Sequence, residues 1–243
     1  MKLGDFSALT FDCYGTLIDW EAGILAGLRP LAARAGTSPG DDAILETFAR
    51  HEAAQEAETP DMIYSRLLTV VHARIARDWG VPANEADAAR FGASVPYWPA
   101  FPDSAEALAY LKQHFKLGIL SNVDRESFKG SNRRLGVTFD WIMTAEDIGS
   151  YKPSPRNFEF MIETLGKDGV EKGRILHTAE SLFHDHVPAN RFGLASCWIF
   201  RRHDKEGFGA TSRPAEMPRI DFRFTSLGAM AEAHRREMAG GDA

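Results

Sequence analysis

Short apolar runs that end in polar residues alternate with stretches of helical spacing along this chain. The runs are Ala8 to Phe11, Leu117 to Leu120, Trp141 to Met143, Ile175 to Thr178 and Ser196 to Phe200. Alternation of this kind predicts a parallel sheet with crossover helices. Between the runs, Ala105, Leu108, Ala109 and Leu111 recur at helical spacing after Asp103 and Ser104; Phe158, Met161, Ile162 and Leu165 do so after Ser154-Pro155. Both starts carry cap chemistry, with Pro155 at the first helical position and Gly166 expected just beyond the far end. A short strand is expected over Phe222 to Phe224, after the irregular stretch Ala210 to Arg219. A last helix is expected over Ser226 to Glu237, with a frayed tail from Ala239 to Ala243.

From about Trp20 to Ser94 the pattern changes. This stretch has no convincing strand and reads as Ala-rich amphipathic helices broken at Thr37 to Gly40, Thr59-Pro60 and Gly80 to Pro82. It predicts a helical module inserted after the first strand, with the Pro-rich Pro96 to Pro102 segment returning the chain to the sheet.

Composition narrows the class. A chain of 243 residues suits one large domain or a core with one inserted module. With 28 Lys+Arg against 34 Asp+Glu, mixed along the chain for a net charge of -6, no basic stripe exists to neutralise phosphates, so nucleic acid is not an expected partner. Two cysteines, Cys13 and Cys197, cannot build a disulfide framework and fit a reducing compartment. No signal-like start and no run of about 18 apolar residues is present, so a soluble cytoplasmic protein with no membrane partner is expected.

In open parallel sheets ligands bind beyond the carboxyl ends of the strands, so the residues after each apolar run carry the information. After the first comes Asp12-Cys13-Tyr14-Gly15-Thr16 and after the second Ser121-Asn122. Lys152-Pro153 lies downstream of the third, and Glu180-Ser181 with Asp185 follows the fourth. An Asp entering a Gly turn also serves as a turn or helix cap, and a Ser-Asn or Lys-Pro pair is usually just loop. Four polar sets in this order on one sheet edge point to a site.

These four motifs resemble those of the haloacid dehalogenase superfamily, and the resemblance extends over nearly the whole chain. It implies a Rossmann-like doubly wound parallel sheet core formed by residues 1–18 and 96–243, with an all-helical cap over residues 19–95. It also implies that Asp12 is the nucleophile, that Ser121 binds the reacting group, that Lys152 steadies the charges, and that Glu180 and Asp185 complete the site. A homodimer through the cap is a further expectation from the resemblance.

The superfamily contains metal-dependent phosphatases and metal-free dehalogenases, and Tyr14 is the discriminating position. Phosphatases of the family place a second Asp two residues after the nucleophile to protonate the departing alkoxide. A phenol, with a reference pKa of about 10, does that work badly near neutrality. Halide needs no proton. Phe11-Asp12-Cys13-Tyr14-Gly15-Thr16-Leu17 is similar to the first motif of the L-2-haloacid dehalogenases, which implies substrate contacts from Tyr14 and Thr16. Phe48-Ala49-Arg50-His51-Glu52 falls where those enzymes carry an Arg that grips the substrate carboxylate, a task suited to a permanently charged bidentate donor; alone, an Arg on an Ala-rich helix is more often a solvated surface residue. Asn122 beside Ser121 matches the dehalogenase pattern for holding that carboxylate.

The fourth motif departs from the dehalogenases. In Thr178-Ala179-Glu180-Ser181-Leu182-Phe183-His184-Asp185, an acidic residue stands where those enzymes carry uncharged ones. Asp12, Glu180 and Asp185 could supply oxygens to Mg²⁺, although Glu is one methylene longer than the usual Asp. With no metal, Glu180 or Asp185 could activate the water that resolves the ester, or Glu180 could pair with Lys152. His177 is expected to be a buried, hydrogen-bonded histidine, and His184 or His186 to line the site. The leading expectation is a cofactor-free hydrolase acting on a small anionic substrate, a 2-haloalkanoic acid. The alternatives are a Mg²⁺-dependent phosphatase of small metabolites and a non-catalytic binding protein on the same scaffold.

Overall fold

The computed structural model describes residues 1–36 and 39–240. Six strands form one parallel sheet: β1 (Ala8–Phe11), β2 (Lys116–Ser121), β3 (Trp141–Thr144), β4 (Ile175–Ala179), β5 (Ala195–Ile199) and β6 (Phe222–Phe224), in the spatial order β3-β2-β1-β4-β5-β6. The apolar runs in the sequence correspond to these strands. All four residues of β1 are buried, as expected for a strand with helices on both faces. It pairs with β2 through Phe11 opposite Ile119 and with β4 through Phe11 opposite Thr178. The order reverses at β1, so the crevice beyond Phe11 is the topological switch point at which such sheets bind ligands.

Between β1 and β2 the chain builds α1 (Trp20–Arg34), α2 (Asp41–Glu58), α3 (Tyr64–Asp78), α4 (Glu85–Gly92) and α5 (Ser104–Leu111). No strand lies in α1 to α4 among the described residues. Breaks fall at Thr59-Pro60 and Gly80 to Pro82; of the break expected at Thr37 to Gly40, Thr37 and Ser38 lie outside the described residues, as do residues 241–243 of the expected tail. Asp19 caps α1, its carboxylate accepting from the Ala22 amide at 3.1 Å. Glycines let the helices approach the return segment: a Cβ on Gly23 of α1 would lie 2.3 Å from the Trp98 indole.

After β2 come α6 (Arg125–Leu135), α7 (Ala145–Ile148), α8 (Pro155–Lys167), α9 (Val187–Arg191) and, after β6, α10 (Leu227–Met238). Helix α8 starts at Pro155 as expected, but Gly166 lies inside it; the turn beyond its end is made by Gly169, which takes φ +77°. One turn of π-helix, Leu182–His186, leads from β4 into α9. Among the described residues no helix is long and apolar enough to cross a membrane.

Candidate active site

Asp12 follows β1 directly, its amide donating to the Thr178 carbonyl at 3.1 Å, so the sheet itself fixes the position of its carboxyl. Lys152, in the loop before α8, is 1% exposed. Its ammonium donates to Asp12 Oδ1 at 2.9 Å, Asp185 Oδ1 at 2.6 Å and the Leu120 carbonyl at 2.9 Å. An ammonium has three donors, and all three are used. Ser121 Oγ donates to Asp12 Oδ1 at 3.4 Å and Thr16 Oγ1 to Asp12 Oδ2 at 3.2 Å. The Arg201 guanidinium ties down the Thr16 carbonyl at 2.8 and 3.1 Å while pairing with Asp103 at 2.8 Å. Arg201 therefore positions the loop that carries Thr16, a role no motif announced.

Burial pushes the Asp12 carboxyl above its ordinary range, and the Lys152 ammonium works against that shift. Asp185 goes the other way. It is fully buried, yet Lys152 and His177 hold it far below the usual carboxylate range. His177 Nε2 lies 2.9 Å from Asp185 Oδ1, and its Nδ1 lies 2.9 Å from Thr10 Oγ1. This buried histidine thus positions Asp185. The other oxygen, Asp185 Oδ2, is buried and has no hydrogen-bond partner among the described residues.

A cavity of about 30 Å³ opens on Asp12, with Tyr14, Ser121, Asn122, Lys152 and Asp185 on the sheet side. That is room for about two waters, so the fit is to a small group. Tyr14 is buried, its hydroxyl 2.9 Å from Ser131 Oγ and its ring edge-on to Trp98 at 5.7 Å. Burial pushes the phenol well above its ordinary pKa. The helical side of the cavity is formed by Trp20, Glu52, Glu56 and Tyr64. Glu52 accepts from Tyr64 Oη at 2.5 Å, and Glu56 Oε1 accepts from Asn122 Nδ2 at 3.0 Å. Burial raises both carboxyls, Glu52 to about 8 and Glu56 well above its usual value.

Three sequence expectations change. Arg50 does not reach the cavity: its side chain is 64% exposed and pairs with Asp78 at 3.0 Å. The helical period explains this, because Leu45, Phe48, Ala49, Glu52 and Glu56 share the buried face of α2 and Arg50 falls outside it. Reading that stripe past its apolar members would have found the two glutamates. Glu180 also turns away: its backbone amide donates to Thr16 Oγ1 at 2.9 Å, but its side chain lines neighbouring clefts with Trp198, Arg202 and Lys205. Asn122 lies at the cavity but is saturated, donating to Glu56 and the Lys152 carbonyl and accepting from the Lys152 amide at 2.7 Å.

Of the three carboxylates expected for Mg²⁺, Glu180 is turned away and Asp185 Oδ1 is already shared by Lys152 and His177, so the three do not converge on one point. Of the His184-Asp185-His186 run, His184 faces the cavity as a neutral ring, burial lowering its pKa to about 4, while His186 Nε2 lies 3.0 Å from the Ala179 carbonyl.

Comparison with known proteins shows the family and the fold. The chain is 25% identical over 203 residues to an (S)-2-haloacid dehalogenase of Burkholderia cepacia, covering 80% of this chain and 83% of the relative. It is 24% identical over 110 residues to a pyrimidine 5'-nucleotidase of Escherichia coli (strain K12), an alignment over 44% of this chain and about half, 48%, of that protein's length. The structure of L-2-haloacid dehalogenase from Xanthobacter autotrophicus with chloropropionic acid covalently bound superposes with a TM-score of 0.76 at 20% identity, over 95% of this chain and 98% of that one, a likeness of fold. The model of the haloacid dehalogenase-like hydrolases matches residues 6–177. With that match laid over a carboxylate, lysine and serine gathered at the switch point, this chain belongs to the haloacid dehalogenase-like hydrolase family.

Proposed function

We propose that this hydrolase displaces halide from a small organic substrate through an ester on Asp12. The observation that carries the reading is Tyr14. Two residues past the carboxylate stands a buried phenol bonded to Ser131, a poor acid for an alkoxide. Halide leaves without a proton. An Asp12 oxygen attacks the halogen-bearing carbon, a C–O bond forms, and the C–halogen bond breaks with its electron pair leaving on the halide. Water then attacks the carboxyl carbon of the ester, releasing the hydroxylated product and a proton and restoring Asp12. Asp185, which lines the cavity, is our choice for the residue that holds that water, while Lys152 stabilises the negative charge that develops on the carboxyl.

The 2-haloalkanoic acids are the reference substrates, since the relatives are named for them. The Mg²⁺-dependent phosphatase reading lacks Glu180 from its expected carboxylates and an acid at Tyr14, and a binding-only role leaves the costly buried Asp12–Lys152–Asp185 cluster without a use. The test is chloride release by purified protein from 2-chloropropionate and its uncharged analogues in EDTA. Release that is lost in Asp12→Asn is expected. Mg²⁺-dependent phosphate release from phosphate esters, with no chloride from any organohalide, would overturn the reading.

A further inference from the structure

The cavity offers an anion no free cation. Lys152 is the only cation among its lining residues, and its three N–H donors are spent on Asp12, Asp185 and Leu120. The arginine expected to receive a carboxylate is on the surface with Asp78. In its place the cavity has Glu52 and Glu56, one helical turn apart on α2 and 4% and 7% exposed. Each accepts one hydrogen bond through Oε1, from Tyr64 and Asn122 respectively, and the second oxygen of each accepts no hydrogen bond from the protein among the described residues. Across from them Asp185 Oδ2 and His184 Nε2 are buried and unpartnered among the described residues, with His184 Nε2 3.9 Å from Glu56 Oε2. The free oxygens of Glu52 and Glu56 thus stand together on the helical wall of the cavity. Buried carboxyl oxygens without a hydrogen-bond partner are costly to keep, and a ligand that donates hydrogen bonds would satisfy them.

Accepting the Asp12 ester reaction above, on which this inference rests, we propose that the group recognised beside the reacting carbon is an N–H donor, as in a 2-haloalkanamide, and not a carboxylate. The amide N–H₂ bonds the free oxygens of Glu52 and Glu56, which places the α-carbon before Asp12. The amide carbonyl still withdraws electrons from that carbon, as a substitution there requires. Asp12 forms the C–O bond, halide departs with the C–halogen pair, and water cleaves the ester to a 2-hydroxyalkanamide, regenerating the Asp12 carboxylate with loss of one proton.

The test compares chloride release from 2-chloropropionamide and 2-chloropropionate by wild-type protein, followed by the Glu52→Gln/Glu56→Gln variant with its folding checked by thermal melting. The expected result is kcat/KM at least about tenfold higher for the amide, the discrimination of roughly one well-made hydrogen bond. In the variant the preference for the amide over the acid falls by about tenfold, mainly through KM of the amide. A wild-type preference for the acid would overturn this inference and leave the Asp12 reaction standing. Chloride from neither substrate would overturn the reaction itself and the inference with it. The wild-type ratio is the primary readout, so the test stands even if the variant fails to fold.

Discussion

Replacing Lys152 by Met removes one ammonium from between two buried carboxyls. Lys152 is 1% exposed and lies 2.9 Å from Asp12 and 2.6 Å from Asp185. Deleting one partner of a buried ion pair strands the others, at a cost of about 3–5 kcal/mol. For a domain of this length each kcal/mol shifts Tm by about 2–4 °C, so the expected loss is about 6–20 °C. The pH dependence identifies the cause. With Lys152 present, Asp185 is held below its unfolded value, which contributes stability at every pH above about 4 and loses it only as acid protonates that group. Without Lys152, burial and mutual repulsion raise both carboxyls, so the variant loses stability as pH climbs from about 4. The deficit must therefore widen between pH 5 and pH 8. Differential scanning calorimetry at those two values measures it, and chloride release should fall by about 10²–10³-fold, as for loss of one preorganised donor at a developing charge. A variant melting within about 2 °C of wild type at pH 8, or a deficit larger at pH 5, would refute the idea that Lys152 balances two charged neighbours.

Arg50→Ala should leave stability within about 0.5 kcal/mol and leave KM unchanged, because the Arg50–Asp78 pair is exposed; a large rise in KM would return Arg50 to the site. In Glu180→Gln the melting temperature should gain on wild type as pH rises. Burial, with Glu21 and Asp12 nearby, pushes Glu180 up to about 8. A raised acid costs stability as pH climbs from about 4.5 towards 8 and no further above it, and the amide is free of that cost; parallel melting curves from pH 5 to 8 would refute it. Gly23→Ala puts a Cβ 2.3 Å from the Trp98 indole. Overpacking should destabilise by about 1–3 kcal/mol, and because Trp98 packs edge-on to Tyr14, chloride release should fall as well; a denaturant midpoint equal to wild type would contradict this.

The sheet was legible because a central parallel strand must be apolar on both faces, so runs such as Ala8 to Phe11 stand out without reference to the rest of the chain. Asp12 and Ser121 were legible for the same reason, since they stand at the ends of β1 and β2; Lys152 and Asp185, several residues past β3 and β4, were picked out with them by the resemblance of the four motifs to a known family. The helical wall was harder to read. On α2 a motif-like Arg50 drew attention, whereas the 3.6-residue period from Leu45, Phe48 and Ala49 selects Glu52 and Glu56. Glutamates continuing an apolar stripe look like the end of a buried face until tertiary packing shows them enclosed. Glu180 was misplaced because its role depends on the direction the chain takes after β4. There the π turn at Leu182–His186 brings His184 and Asp185 to the cavity and leaves Glu180 beside Trp198. No sequence period encodes that turn.

The central claim is that Asp12 becomes an ester whose carboxyl carbon is attacked by water. Turnover of a 2-chloro substrate in water enriched in heavy oxygen, followed by mass spectrometry of the peptide containing Asp12, tests it directly. The account predicts heavy oxygen in the Asp12 carboxyl after repeated turnovers, because each hydrolysis leaves one solvent oxygen on the protein. Heavy oxygen found only in the product, with Asp12 unlabelled, would mean that water attacks the substrate carbon itself and would contradict the account.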